Sequence, residues 1–297
     1  MVEARDVRGV IPAVVTPFDR HLKVDLKAIT RITRFLVENG VHAVMPVGGT
    51  GEFPSLLREE KKDVVQAVAS VAKGKIPIIA GTAACSTREV ILLSNDAVEA
   101  GADAVIVTAP YYFKLSEEAL IEHYRTVAKN ISCPLVVYNN PLYTGNNLTA
   151  EMMVLLLSQK NTIGVKQSNS DMGQLVELLR LSPRAKSLCT GIDSQFYPAL
   201  CMGAVGIYST AACILPSLMV KLYDLTSKGN HAEARKLHMK LQLLNRYLEY
   251  DPGYVAPAKE ALNLLGLPGG FIRPPLPGLT EEQKRGIKRA LREIGVL

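Results

Sequence analysis

The feature that most constrains this chain is a regular alternation between short apolar runs and longer amphipathic segments. Helical patterns such as residues 25–39 and 58–72 separate the runs. Strands that are apolar on both faces and separated by helices require a parallel sheet with helical cover. Eight runs of strand length are present: GVIPAVV, AVMPV, IPIIAG, ADAVIVTAP, CPLVVYN, IGVK, KSLCTG and GIYST.

The number of these units decides between the possible α/β folds. Eight units of roughly 25 residues each favour a closed barrel over an open doubly wound sheet, which usually has fewer strands. After GIYSTAACILP the alternation stops, and residues 216–297 show helical patterns only. We therefore predict an α/β protein with a (β/α)8 TIM barrel over residues 1–225. Residues 226–297 should form a C-terminal helical bundle packed on that barrel.

Composition and charge exclude several classes of protein. Hydrophobic residues make up 48% of the chain and charged residues 21%, which is typical of a folded globular protein. The net charge of +6 is spread along the chain without a nucleic-acid-binding motif, so we expect no nucleic-acid partner. The N-terminal MVEARDVRG lacks a signal-peptide core, no run is long enough to span a membrane, and the five cysteines form no CxxC pair. These features predict a cytoplasmic protein with reduced thiols and no membrane partner.

Lys166 is the most informative single residue, because it directly follows the apolar run TIGV. Chemistry in such a barrel is located at the carboxyl ends of the strands, where a lysine would be partly desolvated. Desolvation disfavours the ammonium form and leaves a free amine, the nucleophile that forms a Schiff base with a carbonyl substrate. The alternative is a lysine that extends to solvent or pairs with a carboxylate.

Tyr138 ends the preceding predicted strand, in PLVVYNNPLYTG. Neighbouring strands lie about 4.8 Å apart, so the side chains of Tyr138 and Lys166 should touch. A phenol beside an amine can transfer protons while an imine forms. Alternatively, Tyr138 only closes the core with its hydroxyl in water.

The segment PVGGTGEFPSL carries glycines at positions 48, 49 and 51, directly after the second predicted strand. Such a loop lets backbone N–H groups approach a carboxylate or phosphate, although a tight turn would use the same residues. Neither the P-loop lysine pattern nor GxGxxG is present, so nucleotide binding is not expected.

Other polar residues should lie at the same end of the barrel. Tyr111 and Tyr112 follow the fourth predicted strand, where one could face the pocket and one a partner subunit, or both could pack under a loop. Asp193 and Ser209 belong to the last two strand ends, TGIDSQF and GIYST, and could bind substrate hydroxyls. Asp193 could equally be the N-cap of the helix that follows it.

Seven blocks in this order resemble the dihydrodipicolinate synthase and N-acetylneuraminate lyase superfamily of Schiff-base barrel enzymes. The resemblance covers nearly the whole chain: VIPAVVTPFD, GGTGEF, VTAPYYFKLSEE, YNNPLYTG, GVKQSNSD, TGIDSQF and PAKEALNLLGLPGGFIRPPLPGLTEEQ. It implies that Lys166 forms an imine with pyruvate or another 2-keto acid and that Tyr138 is the general acid and base. Gly49 and Thr50 would hold the carboxylate of the keto acid.

The resemblance also implies partners and the remaining site residues. Tyr112 would reach the site of a neighbouring subunit, within a homotetramer built as a dimer of dimers, and Ile207 would pack over the bound pyruvyl group. The imine itself would be the electron sink, so no metal and no organic cofactor is expected. The partners would be small 2-keto acid and aldehyde substrates.

Two departures from the synthase pattern, and one match to the lyase branch, bear on the substrate. Gly49 precedes Thr50 where synthases typically have a threonine pair, which puts the expected Tyr–Thr–Tyr proton relay in doubt. Tyr143 stands where synthases have a carboxylate-binding arginine. Asp193 and Ser209 match positions that contact polyol chains in the lyase branch.

These departures favour a lyase, aldolase or dehydratase that acts on a 2-keto-3-deoxy sugar acid. The alternative is a 4-hydroxy-tetrahydrodipicolinate synthase that condenses pyruvate with aspartate semialdehyde. A barrel that only binds its ligand is a third reading, which the intact pair of Tyr138 and Lys166 disfavours.

Overall fold

The computed structural model describes residues 2–182, 186–249 and 253–297. Seven strands in this part of the chain form one parallel sheet. They are β1 (Gly9–Pro12), β2 (Ile79–Gly81), β3 (Ala104–Thr108), β4 (Leu135–Asn139), β5 (Thr162–Gln167), β6 (Ser187–Thr190) and β7 (Gly206–Ser209). The sheet order is β1-β7-β6-β5-β4-β3-β2, so strands consecutive in the chain lie side by side from β2 to β7.

The second predicted strand, AVMPV, is the one run that does not form a strand of this sheet. Residues 43–46 lie between β1 and β2 and make one parallel bridge to each side, Ala13 with Met45 and Val44 with Ile78. Pro46 has no N–H to donate, and Val47 adopts a left-handed φ of 58°, so the chain leaves the extended conformation there. Seven of the eight predicted strands therefore form the described sheet.

Helices follow the strands as the alternation predicts. α1 and α2 match the predicted segments 25–39 and 58–72, and Asp25 caps α1 by accepting from the Ala28 N–H at 2.9 Å. The helices between strands are α1 (Leu26–Glu38), α2 (Arg58–Ala72), α3 (Thr87–Glu99), α4 (Glu117–Asn130), α5 (Pro141–Thr144), α6 (Ala150–Leu157), α7 (Met172–Leu181) and α8 (Phe196–Cys201). Short 3-10 turns lie at Ala4–Asp6, Phe53–Ser55 and Asp193–Gln195.

The C-terminal part is helical, as its pattern predicts. It contains α9 (Ala211–Ile214), α10 (Pro216–Ser227), α11 (His231–Glu249), α12 (Val255–Leu264) and α13 (Glu281–Ile294). α11 packs on α10 and α13. None of the described helices is long and apolar enough to span a membrane.

Burial divides the core into two layers. Side chains such as Ile11, Ile106 and Val136 fill the space enclosed by the sheet, and alternate residues such as Val10, Val105 and Val137 pack outward against the helices. This two-sided burial explains why the strands are apolar throughout. Because all strands are parallel, their carboxyl ends meet at one end of the sheet, where polar side chains can converge.

Candidate active site

A cavity of about 590 Å³ opens at the carboxyl ends of the strands. Its walls come from β4, β5 and β7, from the loops that follow the strands, and from the end of α11. Six predicted site residues line it: Gly49, Thr50, Tyr138, Tyr143, Lys166 and Asp193.

Lys166 and Tyr138 form the centre of this cavity. They are directly paired in the register of β4 and β5, and the Lys166 Nζ lies 4.1 Å from the centroid of the Tyr138 ring. Lys166 is only 5% exposed, which excludes the alternative of an amine extended into solvent. The Tyr138 hydroxyl accepts a hydrogen bond from the Asn140 side chain at 2.9 Å, which fixes its orientation.

The backbone at Gly191 makes room for the lysine. A Cβ built at Gly191 would lie 2.5 Å from the Lys166 Cε and 2.0 Å from the Ser168 Oγ. Any side chain there would displace the amine from its position beside Tyr138. The glycine that follows β6 is therefore a steric requirement of the site.

The glycine loop approaches the cavity with strained backbone on both sides. Val47 and Glu52 have φ values of 58° and 55°, and between them Gly49 and Thr50 line the cavity. The Thr50 hydroxyl lies 3.0 Å from the Thr210 hydroxyl. The relay that the family pattern would form through a threonine at position 49 is absent, since Gly49 has no hydroxyl.

Asp193 is buried and bound by the turn after β7. Its carboxylate accepts from the Ser209 hydroxyl, from the Thr210 N–H at 3.2 Å and from the Ala211 N–H at 3.0 Å. Burial raises the pKa of Asp193, and these hydrogen bonds oppose that shift. Asp193 thus caps α9 rather than the helix directly after it, a contact that neither sequence alternative included.

Two predicted residues on β7 do not line the cavity. Ile207 is fully buried on the outer side of the strand, among the residues packed against the helices. The neighbouring Tyr208 faces inward, with its ring centroid 5.5 Å from the Lys166 Nζ. Side chains alternate along a strand, so a reading shifted by one residue selects the wrong face. Ser209 is buried and bonded to Asp193 and to the Ala212 N–H at 2.7 Å.

Tyr112 lies outside the cavity. It is 88% exposed, adopts a φ of 82°, and packs edge-to-face on Phe113 with 5.0 Å between ring centroids. Tyr111 turns the other way and packs against Phe53. The two adjacent tyrosines therefore separate, one toward the protein and one toward the surface.

The C-terminal helices contribute residues that the strand-end rule could not find. Glu249, the last residue of α11, lines the cavity and accepts a hydrogen bond from the Ser194 N–H at 2.6 Å. Burial, and then the charge of Asp193, raise the pKa of Glu249 to about 7. Tyr254 lines the same cavity and packs edge-to-face on Tyr143, with 5.8 Å between ring centroids. The signal in the sequence is RYLEYDPGY, a stretch rich in tyrosine and acidic residues.

Comparison with known proteins identifies the family of this chain. Residues 6–294 match the model of the dihydrodipicolinate synthetase family. A relative from Archaeoglobus fulgidus named 4-hydroxy-tetrahydrodipicolinate synthase is 39% identical over 289 residues, which are 97% of this chain and 99% of the relative.

Solved structures show the same fold. The crystal structure of dihydrodipicolinate synthase from Aquifex aeolicus gives a TM-score of 0.92 at 32% identity, covering 97% of this chain and 98% of that chain. YagE from E. coli K12, a prophage protein of the dihydrodipicolinic acid synthase family solved in complex with pyruvate, gives a TM-score of 0.94 at 29% identity. That match covers 98% of this chain and 99% of YagE.

Proposed function

The chain belongs to the dihydrodipicolinate synthetase family and is a lyase of that family, and from this premise we propose that it binds pyruvate covalently through Lys166. The observation that carries the proposal is the buried Lys166 amine, 4.1 Å from the Tyr138 ring and beside the Gly49–Thr50 loop. The complex of YagE with pyruvate supports the choice of keto acid.

The proposed steps use groups that line the cavity. The lone pair of the Lys166 nitrogen attacks the keto carbon of pyruvate, and one proton of that nitrogen passes to the former carbonyl oxygen. Tyr138 donates its proton to the resulting hydroxyl, which leaves as water, so that a protonated imine and a Tyr138 phenolate remain. The imine withdraws electrons from the neighbouring methyl group, which gives a proton back to the Tyr138 phenolate, and the imine becomes an enamine. Backbone N–H groups at Gly49 and Thr50 would hold the pyruvyl carboxylate throughout.

For the second substrate we propose aspartate semialdehyde, so that the enzyme is a 4-hydroxy-tetrahydrodipicolinate synthase. The enamine carbon would attack the aldehyde carbon and form a C–C bond. Several relatives at 35–39% identity carry this name, which supports the synthase over the sugar-acid lyase that the sequence departures favoured. The ammonium group of the semialdehyde would find a carboxylate in Glu249.

A second candidate function is cleavage or dehydration of a 2-keto-3-deoxy sugar acid. The observation that favours it is the charge of the cavity wall. Among the described residues that line the cavity, Lys166 is the single cation, whereas Asp193 and Glu249 supply two carboxyl groups. Tyr143 lies where an arginine would pair with a substrate carboxylate. Hydroxyl groups of a sugar chain suit such a wall better than a second carboxylate does.

Trapping with borohydride tests the shared part of the proposal. Incubation with pyruvate and borohydride should add one reduced pyruvyl group, located on Lys166 by peptide mass spectrometry. Lys166→Gln should remain unmodified. An unmodified wild-type protein would refute the covalent mechanism.

Two assays then separate the candidate functions. The synthase consumes aspartate semialdehyde in the presence of pyruvate, whereas the lyase releases pyruvate from 2-keto-3-deoxygluconate. We expect the first activity. Turnover of the sugar acid alone would reverse the ranking of the two candidates.

We also propose a closed barrel, a homotetramer and a cytoplasmic location. Residues 43–46 would be the eighth strand, which the bridges from Met45 to β1 and from Val44 to β2 support. Subunits would meet at Tyr112, whose exposed ring is otherwise unexplained. Free thiols at all five cysteines support a reducing compartment.

A further inference from the structure

A tyrosine from the C-terminal part of the chain lies directly against the glycine at position 49. A Cβ built at Gly49 would lie 2.5 Å from the Tyr254 hydroxyl oxygen. The hydroxyl therefore occupies the space that any side chain at position 49 would need. Gly49 and Tyr254 are distant in sequence, so the tertiary fold alone brings them together.

The surroundings keep the Tyr254 hydroxyl protonated. Tyr254 is held at the cavity wall by its edge-to-face contact with Tyr143. Burial raises the pKa of Tyr254, and the neighbouring phenols Tyr138 and Tyr143 raise it further. A phenol in this state donates a hydrogen bond, and an anion is its strongest acceptor.

We propose that Tyr254 is a further catalytic residue, whose hydroxyl donates a hydrogen bond to the 2-keto acid held between Gly49 and Lys166. This inference rests on the proposed function. The cavity contains a fixed donor directly above the backbone of Gly49, where the keto acid would place its carboxylate. The hydroxyl missing from the glycine loop is thus supplied from the region that joins α11 and α12.

A steric consequence distinguishes this role from simple packing. A threonine at position 49 and a tyrosine at position 254 cannot occupy the same space, whereas a threonine can replace the hydroxyl once the tyrosine is shortened. Gly49→Thr should therefore impair the wild-type enzyme. The same substitution should improve a Tyr254→Ala enzyme.

The first test measures the rate of pyruvyl adduct formation on Lys166 in Tyr254→Phe. Loss of one hydrogen bond to a charged group predicts that the second-order rate constant for adduct formation is roughly 10- to 100-fold lower. The larger part of the change should be in the KM for pyruvate. Tyr223→Phe is the control, because its hydroxyl bonds Arg8 at the opposite end of the sheet, with 3.2 Å to the Arg8 Nη2. It should react like the wild type.

The second test compares Tyr254→Ala with the double variant Gly49→Thr/Tyr254→Ala. Recovery of at least several-fold in adduct rate by the double variant supports a shared hydroxyl position. A wild-type rate in Tyr254→Phe, or no recovery in the double variant, overturns the inference. If the wild type forms no adduct, the proposed function itself is wrong. If the wild type and every Tyr254 variant form the adduct at the same rate, the proposed function stands and only the role of Tyr254 is wrong.

Discussion

At the scale of single residues, burial acts differently on the two carboxyl groups of the cavity. Asp193 receives three hydrogen bonds from the turn after β7, which compensate the loss of water around its charge. Glu249 receives one, from Ser194, and its pKa rises to about 7. Glu249 therefore changes charge near neutral pH, whereas the hydrogen bonds to Asp193 oppose the rise in pKa that burial causes and hold its side chain as a cap.

Glu249 should make pyruvate binding dependent on pH. As pH rises through 7, Glu249 becomes ionised and adds a negative charge to a cavity that must accept a carboxylate. We expect the KM for pyruvate to rise roughly two- to tenfold between pH 6 and 8, the range that Coulomb repulsion across a partly screened cavity allows. Steady-state kinetics over this range measure the effect.

Glu249→Gln is the matched variant, because an amide has the shape of the acid but no charge. Its KM for pyruvate should change much less over the same pH range. An equal rise of KM in both proteins would assign the pH dependence to another group.

At the scale of elements, a buried ion pair connects the glycine loop to α12. The Lys259 ammonium and the Glu52 carboxylate pair directly, and their side chains are 2% and 0% exposed. Burial lowers the pKa of Lys259 to about 8, which the neighbouring Glu52 opposes. Glu52 also accepts from the Arg273 N–H at 3.0 Å. The strained loop that lines the cavity is thus held by the C-terminal helices.

Removing one partner of this pair should be costly. Lys259→Met leaves the Glu52 carboxylate buried without its cation, which we expect to lower the free energy of unfolding by about 3–5 kcal/mol. The double variant Glu52→Gln/Lys259→Met should lose less, since it buries no uncompensated charge. Denaturant unfolding gives both values.

An exposed pair is the control for Lys259. Lys284→Met removes the partner of Glu281, whose side chain is 75% exposed, and should leave the free energy of unfolding nearly unchanged. Equal losses in the two lysine variants would contradict the role given to burial.

His123, which α4 packs against α3, should make the free energy of unfolding depend on pH in the acid range. Burial lowers the pKa of His123 to about 4, and its Nδ1 lies 2.9 Å from the Thr87 hydroxyl. In the unfolded chain the histidine pKa is near 6.5, so between pH 6.5 and 4 the unfolded state is protonated at His123 and the folded state is not. Stability is therefore lost as pH falls from about 6.5 to 4, by up to roughly 3 kcal/mol.

His123→Gln should remove this loss. The difference in unfolding free energy between wild type and variant should shift by about 3 kcal/mol in favour of the variant between pH 6.5 and 4. Glu249 has the opposite effect, because its raised pKa stabilises the folded state as pH falls from 7 to 4.5. The contribution of Glu249 is the same in both proteins, so it cancels when their unfolding free energies are subtracted. A difference in unfolding free energy that does not change between pH 6.5 and 4 would refute the role of His123.

At the scale of the whole molecule, two short segments, 112–113 and 142–143, expose large apolar side chains. Tyr112 is 88% exposed, Phe113 69%, Leu142 82% and Tyr143 59%. Exposed apolar side chains of this size favour contact between subunits. The proposed assembly would cover them.

Tyr112→Arg should weaken that assembly. A charge placed in the contact must be desolvated, so we expect a shift from tetramer or dimer to smaller species at micromolar concentration. Analytical ultracentrifugation measures the mass. Met239→Arg, at an exposed position of α11, is the control and should leave the assembly unchanged. A wild-type protein that is monomeric at these concentrations would refute the proposed assembly.

The sequence by itself determined the β/α order, the helical C-terminal part and the pairing of Tyr138 with Lys166. These follow from local periodicity and from the fact that parallel strands end on one side of the sheet. The family resemblance, by contrast, selected Ile207 on β7, one residue away from Tyr208, whose side chain is the one that faces Lys166. The predicted strand AVMPV makes only single bridges, because Pro46 and the left-handed Val47 interrupt the extended backbone there.

Only the tertiary structure decided which distant residues complete the cavity. Glu249 ends α11 and Tyr254 directly precedes α12, so neither residue has a strand-end signal. The space above Gly49 is filled by a hydroxyl from a residue some 200 positions further along the chain. Periodicity reports which face of an element is buried, but not which element covers it. Contacts between elements depend on how helices pack against the sheet, and that is determined by the summed packing of the whole core.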